Sequence, residues 1–194
     1  VFGAGWQARS QVEALCAVRP IQRIKVFSRN AERRAVFCAD MMARLGIDVV
    51  SAASAEETVR GSDIVVTITS ANAPLFDGAW LEAGCHVTAA GSNDLIRREV
   101  DEKTVSRAAR ICVDSRATAL RESGDLLPLL EKGRIHEGQF VELGEIVAGV
   151  RHGRLDEAEI TLFESQGLAI QDLALARRLL IAARERGLGI HLPF

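Results

Sequence analysis

The chain is short of the marks that identify several function classes. Charge of one sign is missing: 24 Lys and Arg stand against 26 Asp and Glu, for a net charge of −2. No basic patch or basic amphipathic helix stands out, which argues against a nucleic-acid partner and against a membrane surface. Cysteine is sparse and scattered. Cys16, Cys38, Cys85 and Cys112 form no C-x-x-C pair, and His86, His136, His152 and His191 show no zinc spacing, so no metal site is expected. The cysteines read as small buried apolar side chains in a reducing cytoplasm. No signal peptide is visible, and the longest apolar runs fall well short of the roughly 18 residues a membrane span needs. Ser-His-Asp sets, HExxH and Walker A motifs are also missing.

What is present is a globular pattern. The 194 residues are 48% apolar, enough for one large or two small domains with a real core. Short β-branched runs predict strands over 24–27, 47–50, 64–68, 86–89, 111–113 and 160–163. Helix-length stretches lie between them, over 7–18, 31–45, 55–60, 101–109 and 117–122. This alternation predicts an α/β fold, a Rossmann-type doubly wound parallel sheet. The last third changes character. Residues 126–150 hold short segments rich in Gly and Glu, and a long helix is expected over 169–186. In it Gln171, Arg178 and Glu185 recur every seven residues on an otherwise apolar surface, with Arg177 and Arg184 beside them. Burial on most sides is expected, against another part of the protein or a second subunit.

The opening reads Gly3-Ala4-Gly5-Trp6-Gln7-Ala8. It fits the G-x-G-x-x-G/A fingerprint of dinucleotide binding, with Ala8 in the third place. Gly3 permits a tight turn, Gly5 lets backbone approach a pyrophosphate, and Ala8 lets helix pack on strand. The helix that follows offers free N–H groups and a positive dipole end to phosphates. A strand feeding that turn needs about five residues, so further chain is expected before Val1, at least a strand. The second predicted strand ends in Ser28-Arg29-Asn30, with Arg33 and Arg34 one turn later. No carboxylate stands there to bind the ribose 2′-OH of NAD, whereas an arginine can pair with a 2′-phosphate. NADP is therefore expected, with NAD as the alternative.

In open parallel sheets ligands bind beyond the carboxyl ends of the strands. Three such ends carry useful groups: Thr67-Ile68-Thr69-Ser70-Ala71-Asn72, Ala89-Ala90-Gly91-Ser92-Asn93-Asp94 and Phe163-Glu164-Ser165-Gln166-Gly167. Thr69, Ala90, Gly91 and Ser165 are expected at the cofactor. Asn93 and Asp94 are expected nearest the reacting carbon, as the catalytic candidates. Asp114 and Asp125 are further candidates, Asp125 serving equally well as a helix cap. Hydride transfer is the expected chemistry, and the cofactor performs it.

These residues, with Arg98-Glu99-Val100-Asp101, Val113-Asp114-Ser115, Glu122-Ser123-Gly124-Asp125-Leu126, Glu142-Leu143-Gly144-Glu145-Ile146 and the run 161–172, resemble the ornithine cyclodeaminase/mu-crystallin family. The resemblance implies a two-part, dimeric protein. An N-terminal half would build the substrate pocket and dimer interface. The Rossmann domain, residues 1–150, would follow. The final strand and C-terminal helix, within 151–194, would pack on that absent half. The resemblance implies an NAD(P)-dependent oxidoreductase of cyclic ketimines or amino acids, a homodimer binding a small imino or amino acid. Ornithine cyclodeaminase, which releases ammonia, is the alternative. It also implies that Ala4, Gly5, Gln7, Arg29, Asn30, Thr69, Gly91 and Ser165 contact the cofactor. Cyclodeaminases carry an aspartate base where this chain has Asn93, which cannot take a proton; Asp94 follows one place later.

Overall fold

A computed structural model describes residues 1–190 and 192; His191 lies outside the described residues. The β-branched runs form β1 (Arg23–Val26), β2 (Asp48–Ser51), β3 (Ile64–Thr67), β4 (His86–Ala89), β5 (Arg110–Val113), β6 (Phe140–Glu142) and β7 (Thr161–Glu164). The helices are α1 (Trp6–Val18), α2 (Ala31–Leu45), α3 (Ala55–Val59), α4 (Glu102–Arg107), α5 (Arg116–Glu122), α6 (Leu127–Glu131), α7 (Leu143–Val147) and α8 (Ala169–Glu185). Four of them begin where sequence chemistry dictates. Asn30, Ser54, Asp101 and Ser115 each accept a hydrogen bond from a backbone N–H three residues on, satisfying a donor that the helix itself cannot.

All strand pairs are parallel. β1 pairs with β2, and a five-stranded sheet runs in the order β3-β4-β7-β5-β6. Phe2 joins the two by bridging to Phe27 on one side and Thr67 on the other. From Phe2 the chain first builds outward through β1 and β2, then returns to lay β3 on the other side. That reversal is the topological switch point of an open α/β sheet, where a crevice forms at the carboxyl ends of the strands. The fold is thus the parallel Rossmann-type sheet expected from the alternation.

Two apolar clusters hold it. Ala8, Val12, Ile24, Val26, Phe37, Met41 and Val49 pack α1 and α2 on the short arm. Phe2, Val65, Val87, Ile111, Phe140 and Leu162 belong to the larger cluster. Phe2 stacks on Phe76 with centroids 5.4 Å apart and meets Phe27 edge-on at 6.0 Å. Cys38, Cys85 and Cys112 are buried, and burial pushes the Cys85 and Cys112 thiols up to about 11, so they remain unreactive protonated groups at neutral pH.

Three features add to the sequence reading. First, 126–150 contains real elements, α6, β6 and α7, each of only 3 to 5 residues, too short to show a period. Second, the boundary placed at residue 150 passes through one sheet. β7 lies between β4 and β5, and Leu162, fully buried, pairs with Val87 and Ile111. Third, α8 buries no residue within this chain; Ile170, Leu173, Leu175 and Leu179 are exposed. No helix among the described residues is long and apolar enough to cross a membrane.

Because β7 fills the middle of the sheet, Leu162→Ala should lower stability by about 2–5 kcal/mol. Urea unfolding of the purified protein reads this directly. A loss below about 1 kcal/mol would show that β7 is peripheral to the core.

Candidate functional site

A cleft of about 730 Å³ lies at the switch point. Gly3, Ala4, Gly5 and Gln7 form one wall. Gly3 has φ +111°, and a Cβ there would sit 2.6 Å from the carbonyl oxygen of Ile68, so only glycine fits. Gly5 is the N-cap of α1 and supplies no side-chain cap, and no acidic residue stands in the first turn. A Cβ on Gly5 would meet nothing within 4 Å, because the backbone there faces open cleft. The first N–H groups of α1 therefore await an acceptor. An anion supplies one, and the helix dipole favours it. A pyrophosphate fits this wall. Trp6 does not join it: it is 84% exposed and lies outside the lining.

The end of β1 separates neighbouring arginines by role. Arg34 is committed to the fold, donating from Nη1 to the Ser28 carbonyl at 2.7 Å and from Nε to Ser51 Oγ at 2.6 Å. Its guanidinium lies 5.5 Å from the Phe27 ring centroid. Arg29 and Arg33 line the cleft beside Ser28, and among the described residues neither enters an ion pair. Asn30 is outside the lining; its Oδ1 caps α2 through Arg33 N at 2.8 Å.

The opposite wall comes from the loops after β3, β4 and β7. A fully buried carboxylate, Glu99, ties the first two together. Its Oε1 accepts from Thr69 N at 2.6 Å and Thr69 Oγ1 at 2.7 Å. Its Oε2 accepts from Gly91 N at 2.7 Å and Thr67 Oγ1 at 2.9 Å. The loops approach so closely that a Cβ on Gly91 would lie 2.2 Å from the Thr69 carbonyl oxygen. Thr69, Ala90 and Gly91 all line the cleft. The β7 loop is fixed by Asp114, whose Oδ2 accepts from Ser165 Oγ at 2.9 Å and Gly167 N at 2.6 Å. Ser165, Gln166 and Gly167 line the cleft beside it.

The catalytic candidates part company. Asn93 lines the cleft, with Arg97, whose Nη1 donates to the Ser70 carbonyl. Asp94 is exposed and outside the lining. Its Oδ1 accepts from Ile96 N at 3.3 Å and its carbonyl from Arg97 N at 2.9 Å, the bonds of a turn.

Sequence reasoning placed no role on Glu99. Its only signal was membership of Arg98-Glu99-Val100-Asp101, because a glutamate bound for the interior looks like any surface glutamate. Beneath Glu99 lie two more buried acids. Asp125 Oδ1 accepts from Glu99 N at 2.8 Å and Val100 N at 3.1 Å. Burial pushes Asp125 up to about 6, against the pull of those N–H groups. Glu164, at the end of β7, is held well above the usual carboxylate range by burial and then by Asp125 beside it.

Comparison with known proteins agrees with this geometry. The sequence profile of the ornithine cyclodeaminase/mu-crystallin family matches residues 1–186. A Delta(1)-pyrroline-2-carboxylate reductase of Bacillus cereus is 34% identical over 195 residues, covering 100% of this chain and 60% of its own length. The Delta(1)-pyrroline-2-carboxylate reductase of Thermococcus litoralis, solved with NADH and L-proline, is 40% identical with a TM-score of 0.94, covering 98% of this chain and 59% of that one. An archaeal alanine dehydrogenase dimer with bound NAD is 32% identical with a TM-score of 0.90, covering 100% of this chain and 59% of that one. The chain thus spans about three fifths of the relatives it matches. It belongs to the ornithine cyclodeaminase/mu-crystallin family.

Proposed function

We propose that the protein containing this chain reduces an imino acid, a cyclic imine carboxylate, with a nicotinamide dinucleotide, preferably NADPH. The observation that carries this reading is the uncapped start of α1 behind the Gly3 turn, opening into a cleft at the switch point of the sheet. The α1 N–H groups would hold the pyrophosphate. Thr69, Ala90, Gly91 and Ser165 would bracket the ribose and nicotinamide side, and Asn93 would face the reacting carbon. The cofactor, when bound, supplies the hydride. Arg29 and Arg33 would pair with a 2′-phosphate, since they line the cleft without a carboxylate partner.

The similarity to pyrroline-2-carboxylate reductases, one solved with NADH and L-proline, supports the substrate class. Asn93 cannot accept a proton, and Asp94 lies outside the cleft lining, which weighs against the ammonia-releasing alternative. The exposed apolar side of α8 supports a division in which residues 1–150, completed by β7 and the loop after it, bind the dinucleotide and α8 packs on a substrate and dimerisation half outside this chain. A homodimer and a cytoplasmic setting complete the reading, the latter supported by four free cysteines.

Arg29→Ala combined with Arg33→Ala should weaken NADPH binding about 10- to 100-fold and leave NADH binding nearly unchanged, since charge-assisted bonds from these two exposed side chains would together be worth about 1.5–3 kcal/mol. Fluorescence titration of the intact protein checks this, and tighter binding of NADH than NADPH by the unaltered protein would reject the NADP assignment. Sedimentation of the intact protein should give a dimer; a monomer at micromolar concentration would reject that part.

A further inference from the structure

Two hydroxyl-bearing residues of the cleft wall, Thr69 and Ser165, have a buried acid behind them. The Thr69 hydroxyl is engaged on both sides, donating to Glu99 Oε1 at 2.7 Å and accepting from Ala71 N at 3.1 Å. Ser165 is placed differently. Its Oγ donates to Asp114 Oδ2 at 2.9 Å, and among the described residues no donor reaches that oxygen. Ser165 is half-buried and lines the cleft.

The direction of the Ser165 bond follows from the other partners of Asp114. Oδ1 accepts from Ser115 N at 2.9 Å, and Oδ2 accepts from Gly167 N at 2.6 Å. Backbone N–H groups can only donate, and an ionised carboxylate can only accept. Asp114 is buried, so its charge needs every donor around it. Ser165 therefore gives Asp114 the single proton of its hydroxyl. Only lone pairs remain on the oxygen, and it can serve the cleft as an acceptor alone. A serine with no acid behind it would rotate and serve a donor or an acceptor equally.

The cleft thus offers opposite polarity at its two ends. The α1 wall presents N–H groups, with Arg29 and Arg33 beside it, and the far side presents an acceptor. Arg29 follows β1 on one side of Phe2, whereas Ser165 follows β7, the third strand on the other side. A dinucleotide laid across a switch point places one mononucleotide half on each side. With the adenosine half at Arg29 and Arg33, the nicotinamide half reaches toward Ser165. The only N–H donors on the nicotinamide ring are those of its carboxamide.

We propose that Asp114 is a positioning residue that sets the polarity of Ser165: by taking the hydroxyl proton, it leaves Ser165 Oγ to accept a hydrogen bond from the carboxamide N–H of the cofactor. The inference rests on the nicotinamide reading above. Ser165 touches the ligand, and Asp114 acts through it.

The test compares NADPH with its reduced 3-acetylpyridine analogue, in which a methyl group replaces the amide nitrogen and the carbonyl is kept. Dissociation constants are measured by calorimetry on the intact protein; NADH and its matching analogue serve equally. The unaltered protein should bind NADPH about 10-fold more tightly than the analogue, which turns a methyl group to Ser165 Oγ. Ser165→Ala should lose that preference, and Ser165→Thr, which keeps the hydroxyl, should retain it. Asp114→Ala frees the hydroxyl to turn its proton to the carbonyl that both ligands share, so the preference should vanish there too. A purely structural role for Asp114 would weaken both ligands alike and leave their ratio in place. In a Ser165→Ala background, Asp114→Ala should not move the ratio further. Asp114→Leu repeats the measurement should the alanine variant fold poorly. A preference that survives Ser165→Ala overturns the carboxamide contact, and one that survives both Asp114 variants overturns the positioning role. Equal binding of both ligands by the unaltered protein overturns the inference and leaves the nicotinamide reading standing. No uptake of NADPH or NADH by the unaltered protein overturns that reading, and the inference with it.

Discussion

The cleft depends on the burial of one charge. A carboxylate in a protein interior costs several kcal/mol unless donors surround it. Glu99 meets that demand with four donors drawn from the end of β3 and the loops after β3 and β4, on Thr67, Thr69 and Gly91. Moving either loop would strip donors from a buried anion, so the loops are held in register by the cost of their separation. Asp125 then grips the backbone of Glu99 itself, and Asp114 repeats the device for the loop after β7. Three loops that face a ligand are thus fixed from behind, leaving the groups on their front free. A binding wall set this way needs little reorganisation when occupied.

The part of the site that sequence could reveal is the part with backbone constraints. Gly3 at positive φ tolerates no side chain, and that requirement leaves a visible mark in the chain. The missing acid after β1 was equally legible, because a strand end followed by a capped helix is a local pattern. Local pattern also explains the misplacements. Trp6 sits inside the fingerprint yet points away, since alternate positions on a helix turn face different directions. Asn30 and Asp94 look like binding groups but serve a cap and a turn.

What stayed hidden is tertiary. Nothing in the run Arg98-Glu99-Val100 says that its glutamate will be enclosed by threonines about 30 residues earlier. The split between Arg33 and Arg34 is invisible too: adjacent residues on a helix diverge by about 100°, and only the fold shows that one meets Ser28 and Ser51 while the other meets the cleft. Strand order is likewise outside the reach of periodicity. The run ending at Glu164 reads as a strand in either place, last at an edge or inserted in the middle.

That insertion governs assembly. β4 and β5 never touch as strands; each pairs with β7, which arrives 47 residues after β5 ends if Val113 and Thr161 are taken as the limits. During synthesis the slot between them stays open until the last strand leaves the ribosome. The two halves of the large sheet can form their local pairs early, but the interior cannot close before then. Folding of the large sheet is therefore bound to the arrival of β7, and a product cut before it would expose two unpaired inner edges to self-association.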